Sequence, residues 1–189
     1  MSRATYIPTD LPIPEDDGAS DHLPGAALPD LLLSATNGKQ VDLATLSGRT
    51  VIFCYPRMAG PDESVPDDWN AIPGARGCTP ESCAFRDLYG EFQSLEVGVF
   101  GISTQPTAAQ AETHTRLHLP YPLLSDSELL LASELLLPTF VWRDIVCLKR
   151  LTLVVQDGMI EHVFYPIFPP DAHPTEVLTW LREHEAVQD

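Results

Sequence analysis

Basic residues are scarce in this 189-residue chain: 11 Lys and Arg stand against 27 Asp and Glu, a formal net charge of -16, and they form no cluster. Such a surface repels phosphate backbones and anionic lipid headgroups, which excludes nucleic-acid and membrane-surface binding. Long apolar runs are missing too. No stretch approaches the roughly 18 to 20 residues of a membrane span, and the N-terminus is rich in Pro and Asp rather than apolar. Neither an export signal nor a transmembrane segment is visible, so a soluble, cytoplasmic protein is expected. Cysteine is sparse as well; four thiols are too few for a disulfide scaffold in a chain of this size and read as reduced or catalytic groups. Apolar side chains make up 44% of the chain, enough for one ordinary globular core.

Proline, by contrast, is abundant. The 18 prolines are nearly double the usual share of about 5%, and ten of them fall in two segments that are also acidic. Residues 1 to 30 hold Pro8, Pro12, Pro14, Pro24 and Pro29 with six acids and the single base Arg3, a composition that cannot form a helix and predicts an extended arm, taken as residues 1 to 25. The second segment runs from Pro56 to Pro80, with Asp62, Glu63, Asp67 and Asp68 around Trp69, and reads as a functional or mobile loop of about 20 residues.

The remaining sequence alternates strand and helix signals. Val51 to Tyr55 reads as a buried central strand, and Thr79-Pro80 opens a helical window with Phe85, Leu88, Tyr89, Phe92 and Leu95 on one face. Val97 to Ile102 is a second buried strand, 107 to 117 a second helix, Leu123 to Asp126 a short edge-type strand, and 127 to 136 a Leu-rich helix. Asp157-Gly158 between the apolar runs 151 to 155 and 160 to 164 predicts a hairpin, and 176 to 185 a terminal helix. This order implies an α/β fold, a central mixed sheet flanked by helices on both faces, of which thioredoxin-like folds are one kind.

The sharpest local feature is Gly77-Cys78-Thr79-Pro80-Glu81-Ser82-Cys83, at the start of the first helix. A sulfur in a first helical turn faces unpaired backbone N–H groups and the positive end of the helix dipole, which favour the thiolate, so Cys78 is placed to be a nucleophile. Cys83 lies five residues on, about 8.6 Å away between Cα atoms if both residues are helical, whereas a disulfide needs them within about 7 Å. The reading of Cys83 stays open between a redox partner, whose pairing would melt the first turn, and a small apolar core residue. Zinc is disfavoured because no second close Cys or His pair follows, and Cys54 and Cys147 read as structural.

Phe53-Cys54-Tyr55-Pro56, Gly77 through Asp87, Val99-Phe100-Gly101-Ile102-Ser103, Leu123-Leu124-Ser125-Asp126 and Lys149-Arg150-Leu151-Thr152-Leu153-Val154 together resemble a peroxiredoxin, in particular the bacterioferritin-comigratory or Q-type branch, over about residues 26 to 183. The resemblance implies a thioredoxin fold and a thiol-dependent peroxidase acting on hydrogen peroxide and organic hydroperoxides without a metal or organic cofactor. It implies that Cys78 is the peroxidatic cysteine, that Cys83 resolves its sulfenic acid as an intramolecular disulfide, and that thioredoxin or a similar dithiol reduces the product. Arg150 would stabilise the thiolate and orient the peroxide, Glu81 would brace that arginine, and a monomer is expected. Two positions depart from the family pattern, since Ala71 and Ala75 stand where a proline and a threonine or serine belong. Pro56 is then the family proline, separated from Cys78 by an inserted acidic loop at about 57 to 75, and the missing hydroxyl is expected from Ser64, Thr79 or a backbone group of the loop. The loop's negative charge is expected to shape access to Cys78 and to select neutral peroxides. Two other readings remain: a redox-responsive binding protein signalling through the Cys78–Cys83 helix, and an interaction domain whose cysteines are structural.

Overall fold

The computed structural model describes residues 6–184. The first five residues of the expected arm and the end of the expected terminal helix, at Glu185, lie outside them. In chain order the strands are β1 (Leu32–Ala35), β2 (Gln40–Asp42), β3 (Arg49–Cys54), β4 (Gly98–Ser103), β5 (Leu123–Ser125), β6 (Thr139–Trp142), β7 (Ile145–Leu148), β8 (Leu151–Gln156) and β9 (Met159–Phe164). The helices are α1 (Asp67–Asn70), α2 (Cys78–Asp87), α3 (Tyr89–Ser94), α4 (Thr107–Leu117), α5 (Leu130–Glu134) and α6 (His173–Glu183). Seven strands form one mixed sheet in the order β2-β1-β5-β4-β3-β8-β9, and β6 and β7 make a separate hairpin.

β3 shows why the sheet is covered on both faces. Successive side chains of a strand point to opposite sides. Val51, Phe53 and Tyr55 accordingly join the core beneath α2, α3 and α6, while Ile52 and Cys54 join the opposite core with Leu131 and Ala132 of α5. A strand buried on both faces reads as a continuous apolar run rather than an alternating one. β3 and β4 run parallel, as do β4 and β5, and β8 pairs antiparallel with β3. The β8–β9 turn has both Asp157 (φ 48°) and Gly158 (φ 77°) in the left-handed region, the backbone that an Asp-Gly hairpin supplies.

Four details differ from the sequence reading. β5 is an interior strand, since β1 pairs on its outer side, and all three of its residues are buried. The single helical window after Thr79 is two helices, broken where Leu88 turns to ψ 3° just before Gly90, a poor helix former. The Leu-rich helix is reduced to the five residues of α5, held by Asp126, whose carboxylate accepts the Leu131 and Ala132 N–H groups. The second proline-rich segment is not wholly irregular, because α1 forms within it.

The N-terminal segment lies along the domain. Gly25 and Leu28 donate to the carbonyls of Ile160 and Gly158, and Leu23 is fully buried. Asp17 accepts from Lys149 (2.6 Å) and Tyr165 (2.7 Å), which hold its carboxyl well below the usual range. Among the described residues no helix is long and apolar enough to cross a membrane.

Candidate active site

α2 is fixed to the sheet from below. Phe85 stacks on Phe53 of β3 with ring centroids 4.4 Å apart, and the buried Tyr121 hydroxyl donates to the Ser82 carbonyl at 2.6 Å. At its start the chain turns through Gly77, whose φ of 108° places Cys78 as the first helical residue. A side chain at Gly77 would be strained by that φ and would put a Cβ 2.3 Å from Cγ of Pro170. On the sheet side, the β3–β8 register pairs Cys54 with Leu151, so the residue before it, Arg150, lies at the end of β3, where the chain leaves for the α1 segment.

Three side chains meet there, each at most 3% exposed: Cys78, Glu81 and Arg150. Arg150 Nη2 donates to Cys78 Sγ at 3.1 Å, and Nη1 donates to Glu81 Oε2. Cys78 and Glu81 are one helical turn apart, so one guanidinium reaches both. Its remaining capacity goes to backbone: Nε to the Gly74 carbonyl, and Nη2 to those of Ala75 and Arg76, all at 3.3 Å. Burial works against the charge of Arg150, but Cys78 and Glu81 more than offset it. Burial likewise raises the Glu81 carboxyl above its ordinary range, opposed by Arg150 and then His173. A fixed cation with a donor on the sulfur stabilises a thiolate and the negative charge that develops when it attacks an electrophile.

A family model described as Redoxin matches residues 23–179. A putative peroxiredoxin of Mycobacterium tuberculosis is 31% identical over 145 residues, 76% of this chain and 84% of the relative. This chain belongs to the peroxiredoxins. Peroxiredoxin Bcp of Escherichia coli K12 is 29% identical over 171 residues, covering 88% of this peroxiredoxin and 96% of the relative. The rice chloroplastic peroxiredoxin Q is also 29% identical, over 160 residues, but this chain spans only 66% of its length. Among solved structures, the crystal structure of peroxidoxin BcpB from M. tuberculosis superposes with a TM-score of 0.68 at 30% identity, covering 86% of this peroxiredoxin and 99% of that chain. The thioredoxin-like fold expected from the sequence is therefore the observed one.

Cys83 is not brought to Cys78. Both residues are in α2, and Cys83 is half-buried; burial raises its thiol, with Arg86 and Arg116 opposing. Helix geometry puts their Cα atoms about 8.6 Å apart, beyond the reach of a disulfide. The acceptor for the Cys78 thiol is the Ala75 carbonyl at 3.5 Å, a backbone group of the residue that stands where a hydroxyl side chain was missing. Ser64 is exposed, while Thr79 is buried beside Cys78. Pro56 is buried directly after β3, and the next residue, Arg57, lines the cavity that reaches Cys78.

That cavity corrects the expected electrostatics. Arg57, Ala59, Val65, Pro66, Trp69 and Arg76 line it with Gly77, Cys78 and Thr79, and none of these is acidic. The carboxylates of the segment are exposed, and two of them are tied to arginines: Glu63 to Arg57 at 2.7 Å and Asp68 to Arg143 at 2.9 Å. The loop is acidic, but it brings no carboxylate to the mouth: it contributes the apolar Ala59, Val65, Pro66 and Trp69 and one cation, Arg57.

Sequence reasoning missed what holds this mouth. Trp69 sits edge-on to Trp142 of β6 at 4.9 Å, and Asp68 accepts from Trp142 Nε1 and from Nε and Nη2 of Arg143, each at 2.9 Å. Gln105 clamps the start of the segment, accepting from Met58 N at 2.9 Å and donating to Met58 O at 3.0 Å. The lone Trp69 amid acids was the one available signal. Cys147 of β7 is fully buried in the cluster of Trp69, Ala75 and Trp142, and its thiol is pushed up to about 11 by burial, then by Cys78. Cys54 is fully buried within β3.

Proposed function

We propose that this peroxiredoxin reduces hydroperoxides through Cys78 and resolves the product with Cys83. The observation that carries the reading is the Arg150 guanidinium 3.1 Å from Cys78 Sγ at the first residue of a helix, held from behind by buried Glu81. The Cys78 thiolate attacks the terminal oxygen of the peroxide, an S–O bond forms, the O–O bond breaks, and the alkoxide leaves as alcohol on taking up a proton (as water, for hydrogen peroxide). Arg150 stabilises the charge spread over sulfur and the two oxygens. The sulfenic acid then condenses with the Cys83 thiol, releasing water and forming a disulfide. Because both cysteines lie in α2, this second step requires the first turn to unwind. An external dithiol, thioredoxin or a similar protein, supplies two electrons and two protons to restore both thiols. A monomer working in a reducing cytosol meets these needs.

Peroxide consumption coupled to thioredoxin and its reductase tests the scheme. Cys78→Ser should abolish turnover; a variant that kept its rate would remove Cys78 from the chemistry. Cys83→Ser should complete one turnover and hold a sulfenic acid that dimedone traps. Continued cycling at the original rate would assign resolution to another thiol.

A further inference from the structure

The cavity that reaches Cys78 is small, and most of its bulky wall comes from the segment between Pro56 and Cys78. The cavity has a volume of about 20 Å3. A single water needs about 10–15 Å3 measured in the same way, so the space suits a molecule the size of hydrogen peroxide. A bulky organic hydroperoxide exceeds that space, and Val65, Pro66 and Trp69 are the bulky apolar side chains that bound it. The much larger cavity of about 370 Å3 lined by Ile13, Pro14, Phe140, Arg150 and Ile167 does not include Cys78.

Of the three wall residues, Trp69 is the largest and the most deeply buried. It is 5% exposed and wedged between Trp142 at 4.9 Å and Phe140 at 5.9 Å, both on β6. α1, which carries it, is only four residues long and cannot hold a position by its own hydrogen bonds. What holds it is the preceding residue: the Asp68 carboxylate takes three hydrogen bonds from Trp142 and Arg143 at the tip of the β6–β7 hairpin. Glu63, bound to Arg57 beneath the Trp142 ring, ties the other end of the segment to the same hairpin.

We propose that Trp69 is a specificity-determining residue, a gate latched shut by Asp68 on the β6–β7 hairpin, which admits hydrogen peroxide to Cys78 and discriminates against bulky organic hydroperoxides. This rests on the thiol-peroxidase reading and narrows it, because selection by size and shape replaces the selection by charge expected from the acidic composition. The function of the acids is then mechanical: Asp68 and Glu63 fasten an apolar wall, and their charge is spent on Arg143 and Arg57.

The test is the ratio of kcat/KM for cumene hydroperoxide to that for hydrogen peroxide, measured in the full chain and in Trp69→Ala and Asp68→Ala. The unaltered protein should disfavour cumene hydroperoxide by at least about tenfold, about 1.4 kcal/mol of discrimination. Trp69→Ala should raise the ratio by about tenfold or more, and Asp68→Ala, which keeps the indole but removes its latch, should raise it in the same direction by a smaller factor. Asp68 is exposed, so this second variant decides the matter if Trp69→Ala does not fold. Ratios within twofold of the starting protein in the variants that fold would overturn the gate, as would a starting protein that uses both peroxides equally well; either result leaves the peroxidase reading standing. A protein that consumes neither peroxide would remove that reading and the gate with it.

Discussion

Arg150→Met separates what the buried ion pair does for the fold from what it does for the chemistry. The arginine and Glu81 have side chains 2% and 0% exposed, so the screening that makes surface pairs nearly worthless does not apply. Removing one member strands the other: Glu81 Oε2 would lose its donor, Oε1 already lacks a hydrogen-bond partner, and burial, no longer opposed by Arg150, would drive the carboxyl towards its neutral form. Stranding a buried charge costs about 3–5 kcal/mol. For a domain of this size about 1 kcal/mol moves Tm by about 2–4 °C, which gives a fall of about 6–20 °C by calorimetry or circular dichroism. The same substitution removes the donor on Cys78 Sγ, and loss of one such donor costs about 100- to 1,000-fold in rate. The double variant Arg150→Met with Glu81→Met isolates the two effects. Apolar replacement of a whole buried pair is often neutral or stabilising, so Tm should recover while the rate of Cys78 oxidation, followed by stopped flow, stays low. Recovery of the rate along with Tm would show that Arg150 only supports the fold. A fall of less than about 1 kcal/mol in the single variant would show that breaking the pair leaves no costly buried charge and would refute the stability argument.

Gly77→Ala should cost about 1–3 kcal/mol for its backbone conformation alone, and more because the new Cβ meets Pro170, so Tm falls by at least about 2 °C; an unchanged melting curve would show that the turn before Cys78 is not fixed as described. The Cys147 thiol, pushed up to about 11, is deprotonated in only about one molecule in a thousand at pH 8. Native alkylation of Cys147, mapped by peptide mass, should therefore be negligible at pH 8 and rise about tenfold per pH unit towards 11, because the thiolate is the reacting form. Rapid, pH-independent labelling would contradict its burial beside Trp69 and Trp142.

The elements legible in the sequence are those whose signal is local. The Val51–Tyr55 run marked a strand because both of its faces are buried, and Asp157-Gly158 marked the β8–β9 turn because few other pairs tolerate two left-handed residues in succession. The β6–β7 hairpin escaped because its turn uses Arg143 and Asp144, with φ of 47° and 65°, where no glycine advertises the conformation. β1 escaped because its residues, Leu-Leu-Ser-Ala, include no β-branched or aromatic side chain, and β2 has only three residues.

The sequence by itself determined that Cys78 begins a helix and that the acids gather in two proline-rich segments, since helix starts and proline breaks are set by neighbouring residues. The motif match already points Arg150, 72 positions away, at that sulfur, and the tertiary structure supplies the contact; only the tertiary structure decided that the acidic segment before Cys78 turns its carboxylates outward and Trp69 inward. Composition fixes how much charge a segment carries. Which side chains face a cavity depends on what folds against them, and here that is a hairpin more than 70 residues further along the chain.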